Sequence, residues 1–453
     1  MRRIEDLFLI IKEQSIKIEY LMRENAYLRR RIEELEKPKK NSGNSSTPPS
    51  QDPYRKKKTE SLREKSGKKQ GGQPGHKGTT LEFSANPDRV ETHIPDYCQN
   101  CGRDLSDLQE EFAGSRQVID IPPIVPVVTE HRVYKKVCTC GCCSQSSYPQ
   151  EAHSKVCYGE NIISLAAYFS TRQYLSYERL KEMFSDVFSV KLSQGTLVNL
   201  MNRFTEKASI AYNHIKSKLM SSSVLGADET SVCVNGKIYW AWTFQNDKYT
   251  CIEVNQSRGQ VGVDTFSKEG FPNSIITHDC WATYFKTEAG GHQICTAHLL
   301  RELKYLEKLH PKDKWAKQFK DLLLSAIKLK QELREVDYLY HISERKELED
   351  RLDRLLNREI NPKYKKTITF KKRIIKYRAH LFTFLYHYKV PHHNNASEQA
   401  VRTFKVKQKV SGLFRSPEGA ISFATIRSVI DTAIKNSQRV LPALKCVAKV
   451  EAE

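Results

Sequence analysis

"SSVLGADETSVCVNGKIYWAWTF", residues 221–243, decides the fold. Two runs rich in Val, Ile, Tyr and Trp flank Asn235-Gly236, the residue pair that supplies the positive φ angles of a two-residue hairpin. The stretch predicts two antiparallel strands. Two acids, Asp228 and Glu229, stand where the first strand turns polar. The chain around them carries a net charge of +21. An acid in that position suits a metal ion, because a carboxylate is a hard ligand for a small cation. The basic remainder suits a polyanion, most often nucleic acid.

Outward from the hairpin, "YTCIEVNQ" extends the meander to a third strand. "SIITHDCWATYF" is another apolar run that ends in an acid, Asp279. "HQICTAHLLRELKYLEKL" reads as a strand running into a helix. Residues from about 310 to 385 are charge-rich and lack strand patterning, so they form a helical insertion. A final helix begins near "NNASEQAVRTFKVKQKVSG", with Glu398 just inside it. Residues 221–435 are therefore the expected catalytic part, and 436–453 a tail.

Asp228 and Asp279 are each the first acid after an apolar strand, and Glu398 lies on a helix. Three such carboxylates can converge at one edge of a sheet and hold two Mg²⁺ (or Mn²⁺) ions. Ions about 3.5–4 Å apart serve phosphoryl transfer by activating the attacking oxygen and stabilising the leaving one. His298 and Arg301 fall one helical turn apart, placed to contact phosphate or to support a carboxylate. Asn394 and Asn395 shape the loop before Glu398, as caps or as ligands to DNA. Arg402 and Lys405 follow Glu398 by about one and two turns, so they share its face and can grip phosphates. Trp281 either stacks on a flipped base or packs in the core.

Residues 1–37 carry a heptad repeat. Ile4, Ile11, Ile18, Asn25 and Ile32 occupy one position, and Leu7, Gln14, Leu21, Leu28 and Leu35 the other. Ile at a with Leu at d favours a parallel two-stranded coiled coil, and the lone Asn25 would fix its register. A homodimer or higher assembly is expected through this helix, which Pro38 ends. Residues 38–80 are rich in Ser, Pro, Gly and Lys and read as a basic flexible linker.

Residues 81–157 hold "YCQNCGRDL" and "KKVCTCGCCSQSSYP". Cys98 and Cys101 make one knuckle. The second pair is Cys138 with Cys140, or Cys140 with Cys143. With short β-like pieces between them, including "RQVIDIPPIVPVVTEHRVYKKV", these describe a ribbon around one structural Zn²⁺. Residues 158–220 read as helices with helix-turn-helix spacing, Ser193 capping the last of them. No run approaches the roughly 20 apolar residues of a spanning helix. Charges recur through the first thirty residues, unlike a signal peptide. The expectation is a cytoplasmic protein, with no membrane partner, whose twelve cysteines are metal ligands or buried thiols.

The heptad helix, "KNSGNSSTPPS", "GGQPGHKGTTL", the cysteine cluster, "GADETSV", "HDCWATYF", "CTAHLLREL" and "NNASEQAVRTFKVKQKVSGLFRS" come in that order over nearly the whole length. Together they resemble the transposases of bacterial insertion-sequence family 66. The resemblance implies an α/β catalytic core of RNase H-like type, a mixed sheet flanked by helices, with a helical insertion. It implies a DDE triad of Asp228, Asp279 and Glu398, with Lys405 at E-x6-K spacing, and zinc on Cys98, Cys101, Cys138 and Cys140. It implies strand cleavage at the element's terminal repeats and strand transfer into target DNA, near the nucleoid, with accessory proteins of the same element as further partners. Two departures stand out: His393 replaces an acid before the paired asparagines, and the second cysteine block is CxCxCC. A non-catalytic DNA-binding protein, or a structure-specific nuclease on the same fold, would share most of these features.

Overall fold

The computed structural model describes residues 2–36, 75–78 and 81–450. The linker expected over 38–80 therefore lies outside the described residues, apart from 75–78. Helix α1 (Arg2–Glu36) runs 35 residues without a break. Its heptad residues Ile11, Ile18, Leu21, Leu28, Ile32 and Leu35 all stand exposed.

The cysteine-bearing segment contains one small hairpin, β1 (Lys135–Val137) with β2 (Cys143–Gln145). The strands expected from "RQVIDIPPIVPVV" do not form. Pro122, Pro123 and Pro126 interrupt that run, and proline cannot donate to a ladder.

Three helices come next: α2 (Glu160–Ala167), α3 (Tyr177–Phe188) and α4 (Gln194–Met220). Ser193 caps α4 by accepting from the Thr196 amide. These helices do not stand apart from the strands that follow. Leu197, Phe204 and Leu219 of α4 share one core with Leu225 and Phe244 of the sheet. The apolar stripe of α4 needs cover, and the sheet provides it.

The sheet has five strands: β3 (Val224–Val234), β4 (Lys237–Gln245), β5 (Thr250–Asn255), β6 (Phe271–His278) and β7 (Ala289–Ile294). Helix α5 (Gln260–Phe266) links β5 to β6. The spatial order is β5-β4-β3-β6-β7. The first three strands pair antiparallel, and β6 and β7 run parallel to β3. Asn235 (φ 47°) and Gly236 (φ 76°) make the expected turn between β3 and β4.

After β7 comes the helical region, α6 (Thr296–Leu309), α7 (Trp315–Glu332), α8 (Ile342–Asn357), α9 (Lys365–Lys376) and α10 (Thr383–Tyr386). It has its own core, around Leu303, Trp315, Phe319, Leu352 and Phe370. Helix α11 (Asn395–Ser411) then returns to β3 and β4, and α12 (Pro417–Lys435) packs on β5 and α4. The expected tail is instead a helix, α13 (Val440–Ala448), with Leu444, Val447 and Ala448 buried against α2 and α4. Pro442 obscures it in the sequence, but a first-turn proline removes no helix bond.

Candidate active site

Side chains alternate across a strand, and the cores show which way each points. On β3, Leu225 and Ala227 enter the core with α4, whereas Val232 and Val234 pack beside Phe404 of α11. Asp228 has the parity of Val232, so it faces α11. Glu229 faces the opposite side.

The β3–β6 ladder pairs Gly226 with Thr277. Two residues on from each come Asp228 and Asp279. Continued past the last ladder pair, this register sets Asp228, midway along β3, beside Asp279, the first residue after β6, on neighbouring strands about 4.8 Å apart. Asp279 Oδ1 accepts the Trp281 amide at 2.9 Å, which fixes its rotamer.

Helix α11 reaches this edge because Gly226 leaves room. A Cβ there would meet Ser397 Oγ at 2.6 Å, Gln245 Nε2 at 2.8 Å and Asn394 Oδ1 at 2.9 Å. Asn394 donates from Nδ2 to the Ala227 carbonyl at 2.6 Å, pinning the first turn of α11 to β3. Its side chain caps the strand rather than the helix. Glu398 follows one turn later, its side chain 13% exposed.

The half-buried Asp228 carboxyl is pushed well above the usual carboxylate range. Burial is the main cause, followed by the negative charges of Glu229, Asp279 and Glu398. The charges of both other predicted acids therefore reach Asp228, although among the described residues the three do not bring ligand atoms within 4.8 Å of one another. Glu398 is held from both sides. Arg301 of α6 donates to Oε1 at 3.2 Å, and Arg402 donates to Oε2 at 3.1 Å. His298 Nε2 stands 3.7 Å from Oε1. Burial and the Arg301 charge keep this imidazole below its ordinary pKa. Arg301 thus supports the carboxylate and His298 stands beside it, while Arg402 remains 61% exposed.

Lys405 is placed differently from its expected role. Its ammonium donates to the Ser231 carbonyl and, at 3.1 Å, to Ser231 Oγ. It ties α11 to β3. Trp281 packs on Trp242 and Tyr284, and the Arg258 guanidinium lies over it.

Glu229, to which the sequence assigned no role, is 3% exposed and fully engaged. Tyr284 donates to its Oε2 at 2.6 Å, and Arg258 to its Oε1 at 3.0 Å. Its carboxyl is also raised, by burial and then by Asp279. The adjacent pair of acids was the available signal, since alternation alone sends one of them to each face of β3.

In the cysteine region, the Gly102 amide donates to the Cys98 carbonyl and the Gly141 amide to the Cys138 carbonyl, both at 2.9 Å. Gly102 and Gly141 have φ of 72° and 84°. In each loop this glycine follows a second cysteine, Cys101 or Cys140, so the two turns match, the second one residue shorter. Cys142 and Cys143 fall beyond the turn. Among the described residues, no third Cys, His, Asp or Glu ligand atom joins either pair within 4.8 Å.

Among the described residues, no helix is long and apolar enough to cross a membrane. No curated protein matches the chain. Residues 5–82 match a family of unknown function (DUF6444). Residues 95–144 match the zinc-finger binding domain of transposase IS66, a span that holds both cysteine loops. Residues 155–422, more than half of the 453, match the transposase IS66 family. That span begins ahead of α2 and ends inside α12, so it takes in the whole sheet and Asp228, Asp279 and Glu398. The chain belongs to the transposase IS66 family.

Proposed function

We propose that this protein cuts DNA at the ends of an insertion sequence and joins the freed 3′ ends to target DNA, using Asp228, Asp279 and Glu398. The supporting observation is the raised Asp228 carboxyl, crowded by burial and by three further carboxylates. An oxygen-only donor set of that charge fits Mg²⁺ or Mn²⁺. Two such ions, held by Asp228, Asp279 and Glu398, would supply Lewis-acid activation of the attacking and leaving oxygens. The sheet order, with the first strand central and two parallel strands beside it, supports an RNase H-like core.

The chain's own residues do the rest. Arg301 holds Glu398 in place, and Asn394 sets its distance from β3. Arg402, exposed beside Glu398, binds a phosphate of the cut strand. The paired loops of Cys98, Cys101, Cys138 and Cys140 carry one structural zinc ion. With that ribbon, α3 and α4 bind the terminal repeats. Helix α1 pairs protomers through its exposed heptad stripe, in a cytoplasmic complex on the nucleoid.

The test uses an end-containing duplex with Mg²⁺ or Mn²⁺. Asp228→Asn, Asp279→Asn and Glu398→Gln should each lower cleavage by at least about a thousandfold while DNA binding persists. Parental cleavage by any one of them would sink the triad. Cleavage without joining would mark a nuclease instead.

A further inference from the structure

Cys295 follows β7 at the N-cap position of α6, and His298 comes one turn later on the same helix face. Glu398 approaches from α11. One ligand atom from each of these three lies within 4.8 Å of the others. Cys295 is buried, and its Sγ accepts the Asn394 amide at 3.2 Å. His298 Nδ1 is buried without a hydrogen-bond partner. Nε2, at 3.7 Å from Glu398, is beyond hydrogen-bond reach. A buried imidazole nitrogen without a partner is costly, and this ring presents a nitrogen to a thiol and a carboxylate.

Sulfur, nitrogen and oxygen donors do not suit Mg²⁺, which takes oxygen. They suit Zn²⁺, which binds thiolate at about 2.3 Å and imidazole or carboxylate at about 2.0–2.2 Å. Three such ligands leave a fourth position open. Small side-chain rotations close the remaining gap, since all three donors sit on first turns of helices that meet at the sheet edge.

We infer that Cys295, His298 and Glu398 form a site for a d-block cation such as Zn²⁺, distinct in donor chemistry from the all-carboxylate centre but sharing Glu398 with it. A cation there takes over the place of the Arg301 guanidinium on Glu398 Oε1. It also draws Glu398 toward α6 and away from Asp228. Zinc at this site therefore opposes the Mg²⁺-dependent chemistry, a consequence that rests on the function proposed above. The site itself does not.

The experiment is zinc content per chain, by mass spectrometry after equilibration with Zn²⁺ and gel filtration, on the full-length protein. The parent should hold about one ion more than Cys295→Ser and His298→Ala. Both variants keep the ribbon cysteines, and a cooperative melt for each shows that it folds. Asp228→Asn, which disables only the carboxylate centre, should retain the parental content. In Co²⁺-loaded protein, the thiolate-to-metal absorption should fall in Cys295→Ser by the share of one cysteine. Parental zinc in both Cys295→Ser and His298→Ala overturns the site. Loss of that ion in Asp228→Asn also overturns it, because the ion then belonged to the triad. Failure of the triad would appear only in the cleavage assay, so the two readings fall separately.

Discussion

The sheet and the cysteine ribbon each carry a proposed set of metal ligands, acids in one and thiols in the other, yet they are held together by opposite means. The acids sit between two hydrophobic cores, one with Phe184 and Phe204 under the sheet and one with Phe404 and Phe423 above it. The ribbon has nothing comparable. None of the described residues between 81 and 157 is buried, and Val118, Val127 and Val128 are nearly fully exposed. In the sheet, packing is strong enough to force like charges together, and the raised Asp228 carboxyl is the sign of it. In the ribbon, two glycine turns present paired thiols and little else. One site is imposed by the fold, and the other must help to make it.

The contrast breaks if the ribbon survives without its ligands. A structural zinc contributes on the order of 10 kcal/mol to a small domain. Cys98→Ser should therefore raise amide exchange across residues 95–144 to nearly unfolded rates. Exchange in β3, β4 and β6 should stay as in the parent. Protection of 95–144 in this variant would mean that packing, not metal, holds the ribbon.

The sheet side is sharpened at Gly226, which touches no ligand. Alanine there drives a methyl against Ser397, Gln245 and Asn394. Overpacking of this kind costs about 1–3 kcal/mol. The first turn of α11 must give way, and Glu398 moves with it. A displacement of about 1 Å at a catalytic group costs roughly a hundredfold in rate. Gly226→Ala should thus lose far more activity than stability, read as cleavage rate against melting midpoint. Equal, small losses in both would show that α11 is not held by this contact.

How much of this was legible in the sequence follows the same division. The hairpin at Asn235-Gly236, the acids at 228 and 279, and the helix start before Glu398 could be read, because each is a local pattern. The parallel pairing of β3 with β6 could not, since it joins Val224 to Ile275 across α5. Nor could the Asn394 bond to Ala227, or the use of Lys405 on Ser231, which depend on how α11 docks. The helical pair before the sheet was legible as helices, but its burial under the sheet was not, because an apolar stripe does not name its partner. The strands expected before β1 failed where prolines left too few donors. Glu229 shows the limit most plainly. Its neighbour Asp228 drew the metal reading, but only the alternation of β3, seen with Tyr284 and Arg258 in place, gives it a separate position.

The last consequence concerns the charge that packing imposes. An Asp carboxyl in the unfolded chain titrates near about 3.9, and that of Asp228 titrates well above it in the fold. Below the unfolded value both states are protonated, and there is no penalty. As pH rises from there toward the folded value, the unfolded state ionises first and stability falls. Metal-free parent should accordingly lose melting temperature relative to Asp228→Asn between mildly acidic and neutral pH, and the two should converge near pH 3–4. The variant expected to lose cleavage is then the more stable protein. Added Mg²⁺ should close part of the gap in the parent alone, by about 1.4 kcal/mol at ten times its dissociation constant. A parent as stable as Asp228→Asn at neutral pH without divalent ions would mean that the carboxylates are not crowded. The sheet would then impose its site no more than the ribbon does.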